Sequence, residues 1–576
     1  MEARTLGNLI EQTGAAVVVD AMSRHGIKTA FVFPGGTIAP VIELLEGAGI
    51  VTICTRHEQG AGYAALAAAR IFGTAQVVLV SSGPGVTNVV TAVADAYFDA
   101  APMIVFTGQV GTGDMRGDRP VRQRGFQEVD TVALMAPITK AQFQPRTPGD
   151  VHDAVERAFR IASEGRPGPV LVDLPMDVQR GKLPETPAAA RADDSAAVDP
   201  WPSDSSLAEA VSWLMVAERP LILAGHGSLA DGAHTFLRQI AEGGEIPVTM
   251  SLLALGAMPT THRLTLGFHG HTGNQVAGLA IQEADVLLVV GSRLDLRQTG
   301  SRTDQFAPKA RIIRIEIDPG ELSHPRIVSH CLLHGRAAPV LERLAGSLSN
   351  VAHPDRSPWL ETIDAWRKVH RLDVEQGDPL KPQAVVSAVN RATAGRDVIC
   401  VSGVGSHQQW AARHFDFDFP RRRWLTSGGH GAMGYDVPVA LGAQQSAPGT
   451  LVVCLVGDGS IQMNIQELAT IVAFELPVKI VVIDNHRLGI VSQFQKLNWN
   501  RDPTCGDKWN PDFAAIARAY GLWAETVRSV AELEGGVARL LQQAGPALLH
   551  CEVDPNEDIS PMLLAGQTLD MMWVRE

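Results

Sequence analysis

The sequence predicts an α/β protein built from three doubly wound domains, each on a parallel sheet. Two observations carry this. Short, apolar, β-branched runs alternate with longer alanine-rich stretches of helical period, and two linker-like stretches cut the chain into three pieces of the same texture. Strands without a polar face need cover on both sides, the condition of a parallel sheet between two helical layers. In the first piece the runs are Ala30–Phe33, Val77–Ser81, Met103–Thr107 and Val170–Asp173. In the second they are Leu221–Ala224, Val286–Val290 and Arg311–Ile317. In the third they are Val398–Ser402, Leu451–Val456, Lys479–Ile483 and Ala547–Glu552. The linker-like stretches are 184–205, rich in Pro, Ala, Asp and Ser, and 349–382, with four prolines and a short helical pattern around Trp359–Trp366. They divide the chain into domains at 1–183, 200–348 and 380–560 and a tail at 561–576, within the usual range of domain sizes.

The 576 residues are 45% hydrophobic and 19% charged, which excludes collagen, a coiled coil and wholesale disorder. Lysine and arginine total 49 against 62 acidic residues, a net charge of −13 that argues against nucleic acid as a partner. No apolar run reaches the ~18 residues of a membrane helix, and Met1–Thr5 lacks the order of a signal peptide. Six cysteines without a CxxC pair, Cys54 and Cys454 among them in apolar runs, read as buried thiols in a reducing compartment. The expected location is cytoplasmic.

Ligands of such folds sit beyond the carboxyl ends of strands. After Leu451–Val456 comes Gly457-Asp458-Gly459-Ser460, then a helical stretch, then Lys479–Ile483 ending in Asp484-Asn485. An aspartate on a glycine turn and an asparagine at the end of the next strand can give oxygens to one Mg²⁺, which combines few protein ligands with phosphates. The glycines let the backbone approach a phosphate closely. A GDG turn alone is an ordinary turn; the asparagine 27 residues on lifts it above that. In the first piece, Thr55–Ala61 (TRHEQGA) follows the strand-like Ile50–Cys54. A lone glutamate opening a helix is usually a charge favoured by the dipole. In a poorly hydrated cleft it also suits proton transfer.

The words around these residues resemble the catalytic subunits of acetohydroxyacid (acetolactate) synthases, which are thiamine-diphosphate enzymes. The resemblance is carried by Gly457–Thr470 (GDGSIQMNIQELAT), Leu488–Gln493 (LGIVSQ), Thr426–Pro438 (TSGGHGAMGYDVP), Ser402–His407 (SGVGSH) and Asn510–Gly521 (NPDFAAIARAYG). In the first piece it rests on Phe33–Gly36, Ser82–Asn88, Thr107–Val110 and Phe126–Glu128. It implies pyrimidine-binding, central and diphosphate-binding domains, in that order. It implies that Glu58 hydrogen-bonds N1′ of the aminopyrimidine, and that Gly36 and Gln127 lie at the reacting carbon with Pro34 and Gly35 beside the cofactor. Ser406, His407, Gly457, Gly459, Ser460, Leu488, Gly489 and Ile490 would bind the cofactor, with His407 touching the diphosphate. Asp458, Asn485 and the backbone carbonyl of Arg487 would bind Mg²⁺. The Gly431 carbonyl would meet the 4′-amino group, and Met433 would wedge beneath the cofactor, although a buried methionine is otherwise plain core.

In the middle piece, Gly225-His226-Gly227, Ser251–Gly256, Gly267–Gly270 and Gly291–Gly300 resemble the synthases' FAD region. The resemblance implies a structural flavin, with Gly225, Gly227, Arg293, Asp295 and Arg297 at its site. Leu296 stands where the family has a second aspartate and Gly335 where another acid is expected, and relatives exist that keep this domain without a flavin. Because Glu58 and the diphosphate motif lie on different domains, the resemblance implies a homodimer as the smallest active unit. A homotetramer and a regulatory subunit are further partners it allows.

The substrate pocket departs from the family. Phe268 replaces a methionine, Phe494 a tryptophan, His430 an apolar residue and Met176 a lysine; at the diphosphate end Ser406 replaces a glutamine. With Phe126, the residues Phe268, His430 and Phe494 are the substrate candidates. The loop Gly111–Arg124 is longer than expected and carries Arg116, Arg119, Arg122 and Arg124, either as a solvated loop or as a grip on an anionic substrate. Such changes of shape are worth a few kcal/mol between acceptors. The expected activity is a carboligase that decarboxylates a pyruvate-like 2-oxoacid and joins its acyl unit to a second carbonyl compound, an aldehyde or ketone. The alternative is a lyase or decarboxylase acting on a 2-hydroxy-ketone or another 2-oxoacid. Benzaldehyde lyase is a relative of that kind, and Ala136–Lys140 (APITK) fits it. Intact Glu58, Gln127, Asp458 and Asn485 oppose a non-catalytic partner protein. A nicotinamide or flavin oxidoreductase is disfavoured, because the turn at Gly225 has no acid about 20 residues on.

Overall fold

The structure, a computed structural model, describes residues 13–184, 199–349, 351–372, 377–501 and 509–575. Three six-stranded sheets, all parallel, follow one another along the chain. The first holds β1 (Thr29–Val32), β2 (Val51–Cys54), β3 (Gln76–Val80), β4 (Met103–Gln109), β5 (Gln142–Phe143) and β6 (Pro169–Pro175) in the order 2-1-3-4-6-5. The second holds β7 (Pro220–Ala224), β8 (Val248–Met250), β9 (Thr265–Phe268), β10 (Val286–Val290), β11 (Arg311–Glu316) and β12 (Cys331–His334) in the order 12-11-10-7-8-9. The third holds β13 (Val398–Val401), β14 (Arg422–Leu425), β15 (Leu451–Gly457), β16 (Lys479–Asp484), β17 (Trp523–Val527) and β18 (Ala547–Glu552) in the order 14-13-15-16-18-17. Counted from its own first strand, the third sheet repeats the topology of the first. The middle sheet instead has the 3-2-1-4-5-6 order of dinucleotide-binding folds, with its switch point between β7 and β10.

Every apolar run picked from the sequence is a strand. The strands it did not pick are mostly short or at edges: β5 is two residues long, β14 begins Arg422-Arg423, and β17 is half-buried along most of its length. An edge strand needs no continuous apolar run, so the pattern that marks a central strand is missing there.

The alanine-rich stretches serve close helix packing. Glu58–Phe72 lies against Asp436–Ser446, joining the first and third domains in one apolar core. A Cβ on Gly442 would lie 2.3 Å from the Ala64 carbonyl oxygen, so the two backbones touch. The stretch 349–382 is not merely a connector. Its helix Ser357–Val369 docks on the middle domain, where Trp359 Nε1 donates to the Pro220 carbonyl at 3.1 Å and buried Arg356 donates to the Leu214, Ala217 and Gly244 carbonyls. The tail returns to the same domain, with Leu563, Leu569 and Met572 in its core. Most of the first linker-like stretch, 185–198, and Cys505 lie outside the described residues. Among the described residues the other five cysteines are free thiols, Cys54 half-buried and the rest buried, and no helix is long and apolar enough to cross a membrane.

Between the first and third domains the helix Pro84–Phe98 brings Asp95 under the loop 426–432. Ser427 donates its hydroxyl to Asp95 at 3.0 Å and accepts the amides of Gly431 and Ala432 at 3.0 and 3.1 Å. Asp99, just beyond the helix, accepts the amides of Gly428 and Gly429. Burial, with the nearby Asp99 charge, pushes the Asp95 carboxyl up to about 8, against the pull of Ser427 and Arg70. A carboxyl raised in the folded state contributes stability that is full below about pH 4 and is lost as the pH climbs to about 8. Asp95→Asn keeps the neutral shape. Its melting temperature is therefore expected to fall less than that of the parent protein between pH 6 and 8.5, as read by calorimetry at both pH values.

Candidate active site

Two helix starts and one glycine turn converge beyond the carboxyl edge of the third sheet. The helix Ser406–His414 follows β13, the turn Gly457-Asp458-Gly459 follows β15, and the helix Gly489–Trp499 follows β16. All three line one cavity of about 1390 Å³. Free backbone N–H groups and helix dipoles favour an anion there. The close approach requires glycine. A Cβ on Gly489 would lie 2.4 Å from Ser406 Oγ, and one on Gly405 or Gly457 would lie 2.6 Å from the His407 ring. His407 is locked from its other side, with Nε2 3.2 Å from Asp436 Oδ1. Asp436, fully buried, also accepts the Gly403 amide and the Ser460 hydroxyl. It is a hub that the sequence reading did not single out.

Asp458 is 3% exposed. Burial pushes its carboxyl up to about 6, opposed by a hydrogen bond from Asn510 Nδ2 at 2.8 Å and assisted by the charge of Asp484. Asn510 donates to Asp484 as well, at 2.7 Å, and so ties the ends of β15 and β16 together. Burial would raise Asp484 too. Hydrogen bonds from His550 and the His486 amide outweigh it and hold that carboxyl below its usual range. Asp484 is thereby committed to structure, whereas Asp458, Asn485 and Arg487 line the cavity, and carboxylate, amide and carbonyl oxygens are the kind of ligand a hard cation takes. The Arg487 side chain is drawn away onto Asp558 at 2.8 Å. Among the described residues no group of three or more His, Cys, Asp or Glu side chains is arranged to hold a metal ion.

Met433 lines the same cavity, and a Cβ on Gly459 would lie 3.2 Å from its Cε. Gly431 has φ +76°, as a turn requiring glycine does. His430 lines the cavity and stacks on Phe98, with ring centroids 5.7 Å apart. Phe268 is buried in the cavity wall. Phe494 does not line it; this ring is 43% exposed and packs edge-on against Trp499.

The cavity continues into the middle domain. It reaches the switch point of that sheet, where Gly225 and Gly227 close on Gly291 so tightly that a Cβ on Gly225 would lie 2.2 Å from the Gly291 carbonyl oxygen. Arg293, Asp295 and Arg297 line this arm, with Asp295 paired to Arg293 and capping the helix Leu296–Thr299. Burial lowers the His226 imidazole to about 3, so the ring in this arm is neutral. Leu296 is 57% exposed and takes no part in the arm.

A second constellation lies at the carboxyl edge of the first sheet. Glu58, 6% exposed, opens the helix Glu58–Phe72, and Asn88 Nδ2 donates to its Oε2 at 2.9 Å. Buried Glu467, from the third domain, accepts the Arg56 amide at 3.0 Å and sits where a Gly60 Cβ would be, which fixes the start of that helix. Gln127, at φ +60°, lies against Gly83, whose Cβ would be 2.8 Å from the Gln127 carbonyl oxygen. Gly35 packs on Ser81, and Gly36 has open space beside it. Phe126 is 84% exposed. Among the described residues of one chain, none of Pro34, Gly35, Gly36, Glu58, Phe126 and Gln127 lines the large cavity. Within one chain, the structure does not bring these two groups of residues together.

Known proteins resemble the chain over nearly its whole length. The thiamine pyrophosphate enzyme models match in chain order: the N-terminal TPP binding domain at residues 12–134, the central domain at 207–344 and the C-terminal TPP binding domain at 387–551. The acetolactate synthase large subunit of Parasynechococcus marenigrum is 38% identical over 96% of this chain and 90% of its own length. The acetolactate synthase isozyme 3 large subunit of Escherichia coli is 36% identical over 98% of each chain. The mitochondrial acetolactate synthase catalytic subunit of Saccharomyces cerevisiae is 35% identical over 97% of this chain and 83% of its own. The chain belongs to the thiamine pyrophosphate enzyme family. Within that family it is a thiamine-diphosphate-dependent carboligase of the acetolactate synthase type.

Proposed function

We propose that the enzyme decarboxylates a pyruvate-like 2-oxoacid and joins its acyl unit to a second carbonyl compound, in a site made from the two half-sites of two copies. The observation that carries this is the pairing of the cavity around Asp458 with a separate group of residues, buried Glu58, Gly36 and Gln127, at the carboxyl edge of the first sheet. The residues fit thiamine diphosphate and Mg²⁺. The helix starts at Ser406 and Gly489 and the turn Gly457–Gly459 take the diphosphate, with His407, Ser460, Leu488 and Ile490 around it. Asp458, Asn485 and the Arg487 carbonyl take Mg²⁺. Gly431 and Met433 would hold the aminopyrimidine, with Pro34 and Gly35 contributed by the partner copy. When bound, thiamine diphosphate supplies the carbon nucleophile and the electron sink that decarboxylation needs. Glu58 holds and returns a proton at N1′, oriented by Asn88. Gln127 and Gly36 bound the reacting carbon. Phe126, Phe268 and His430 shape the acceptor pocket; Phe494 packs on Trp499 outside the cavity of this chain.

The middle arm fits FAD. Glycines at the switch point of a 3-2-1-4-5-6 sheet admit a pyrophosphate, and Arg293, Asp295 and Arg297 line the space beyond. A structural role suits it. Homodimers follow from the split site, and pairing of dimers into a homotetramer is consistent with it. A regulatory subunit is supported by the "large subunit" names of the relatives. We keep a cytoplasmic location and the domain division 1–183, 200–348 and 380–560, with the tail 561–576. The test is purified protein with thiamine diphosphate, Mg²⁺ and ¹³C-labelled pyruvate, followed by NMR. Labelled acetolactate is expected. Untouched pyruvate with cofactor bound would overturn pyruvate as the substrate.

A further inference from the structure

The loop between β4 and Gln127 is a built element. Thr112 is pinned to Asp177 through its amide at 2.9 Å and its hydroxyl at 2.5 Å. The Glu128 carboxylate gathers the amides of Arg116, Arg124 (2.9 Å) and Gly125 (3.1 Å), closing both ends of the segment on one group. Arg119 turns inward onto the Met115 and Arg116 carbonyls, and the Gln123 side chain donates to the Glu128 carbonyl. Arg116 lies 4.0 Å from Asp130. Gly125 is pressed under Val110, where its Cβ would be 2.8 Å from the valine side chain, and this fixes where Phe126 and Gln127 emerge. Two arginines are left over. Arg122 and Arg124 are exposed, and neither guanidinium has a hydrogen bond or ion pair among the described residues. Glu128 is spent on backbone amides, so it does not neutralise them. The loop follows the carboxyl end of β4, the end at which such folds bind ligands, and Arg124 stands three residues before Gln127.

We infer that this loop is an anion clamp on the substrate. Arg122 and Arg124 take a second negatively charged oxyacid group, a carboxylate or its equivalent, so one of the two carbonyl substrates is a dianion. Guanidinium forks match such groups bidentately, and the hydrogen-bonded loop base confines the ordering cost to the two arginine side chains. The inference rests on the proposed carboligase reading and narrows its substrate class.

The test compares 2-oxoglutarate with 2-oxobutyrate as partner of pyruvate, in the parent enzyme, in Arg122→Ala/Arg124→Ala and in Arg122→Lys/Arg124→Lys. The parent enzyme is expected to favour the dianion. In the alanine variant the kcat/KM ratio of dianion to monoanion is expected to fall ~10- to 100-fold, through KM rather than kcat, with the lysine variant between. Glutarate, an unreactive dianion, is titrated separately by saturation-transfer NMR, including on Glu58→Gln protein. Its binding is expected to weaken with added salt and to be lost in the alanine variant. Glutarate binding through Arg122 and Arg124 without any carboligation would sink the carboligase reading and leave the clamp standing. Equal ratios in all three proteins, with glutarate binding unchanged or absent, would make this a solvated loop and overturn the inference.

Discussion

Glu58→Gln is expected to lower kcat by ~10²- to 10⁴-fold, the usual share of a positioned general acid–base, while thiamine diphosphate and Mg²⁺ remain bound. The substitution keeps the shape of a side chain that is 6% exposed, at the first position of its helix and within 2.9 Å of Asn88. It removes only the capacity to take and return a proton. The fold has little reason to respond, because the start of that helix is held by Glu467 and by the His57 ring accepting the Gln59 amide. Product NMR gives the rate, and cofactor retained through gel filtration gives the binding. Loss of both together would point to a structural role for Glu58.

The second large effect is on cofactor retention. Asp458→Ala removes the one carboxylate of the Asp458, Asn485 and Arg487 donor set. On the proposed reading, a divalent ion would lose its charged ligand, and the diphosphate would lose the cation's charge beside it. Apparent affinity for thiamine diphosphate at fixed Mg²⁺ is expected to fall by at least ~10³-fold, the effect of losing a buried, charge-assisted contact and its bridging ion together. In the parent protein a saturating cofactor raises the melting temperature, since it binds only the folded state. In the variant that rise should vanish. A calorimetric titration and a melt with and without Mg²⁺ read both effects. Normal affinity in Asp458→Ala would remove this residue from the metal site.

The central strands and the chemistry-bearing turns were legible in the sequence, because burial on both faces leaves an uninterrupted apolar run and a strand end exposes the turn beyond it. Glu58, Asp458 and Asn485 each stand just past such a run. Residues that hold these groups were not legible. Glu467 reaches Arg56 across 411 positions, Asn510 reaches Asp458 across 52, and Asp95 reaches Ser427 across 332. No local pattern encodes such pairs. Asn88, Asp436 and Asn510 lie inside the family-like motifs, yet their work is to orient other side chains, which only the folded structure reveals. The order of the middle sheet was equally hidden, since the runs show strands but not their neighbours. Phe494 illustrates the opposite case: it was expected in the pocket, but within one chain its ring leans on Trp499 outside the cavity.

The separation of Glu58 from the Asp458 cavity gives the most direct test. Glu58→Gln and Asp458→Ala chains, each inactive alone, are co-expressed with different tags and the mixed species is purified. If the site forms between copies, each mixed dimer holds one intact site, and an unsorted population regains roughly a quarter of parental activity by random assortment. If Glu58 and Asp458 of the same chain work together, every site in the mixture carries one lesion. Activity would then stay at the level of the single variants, contradicting the shared site.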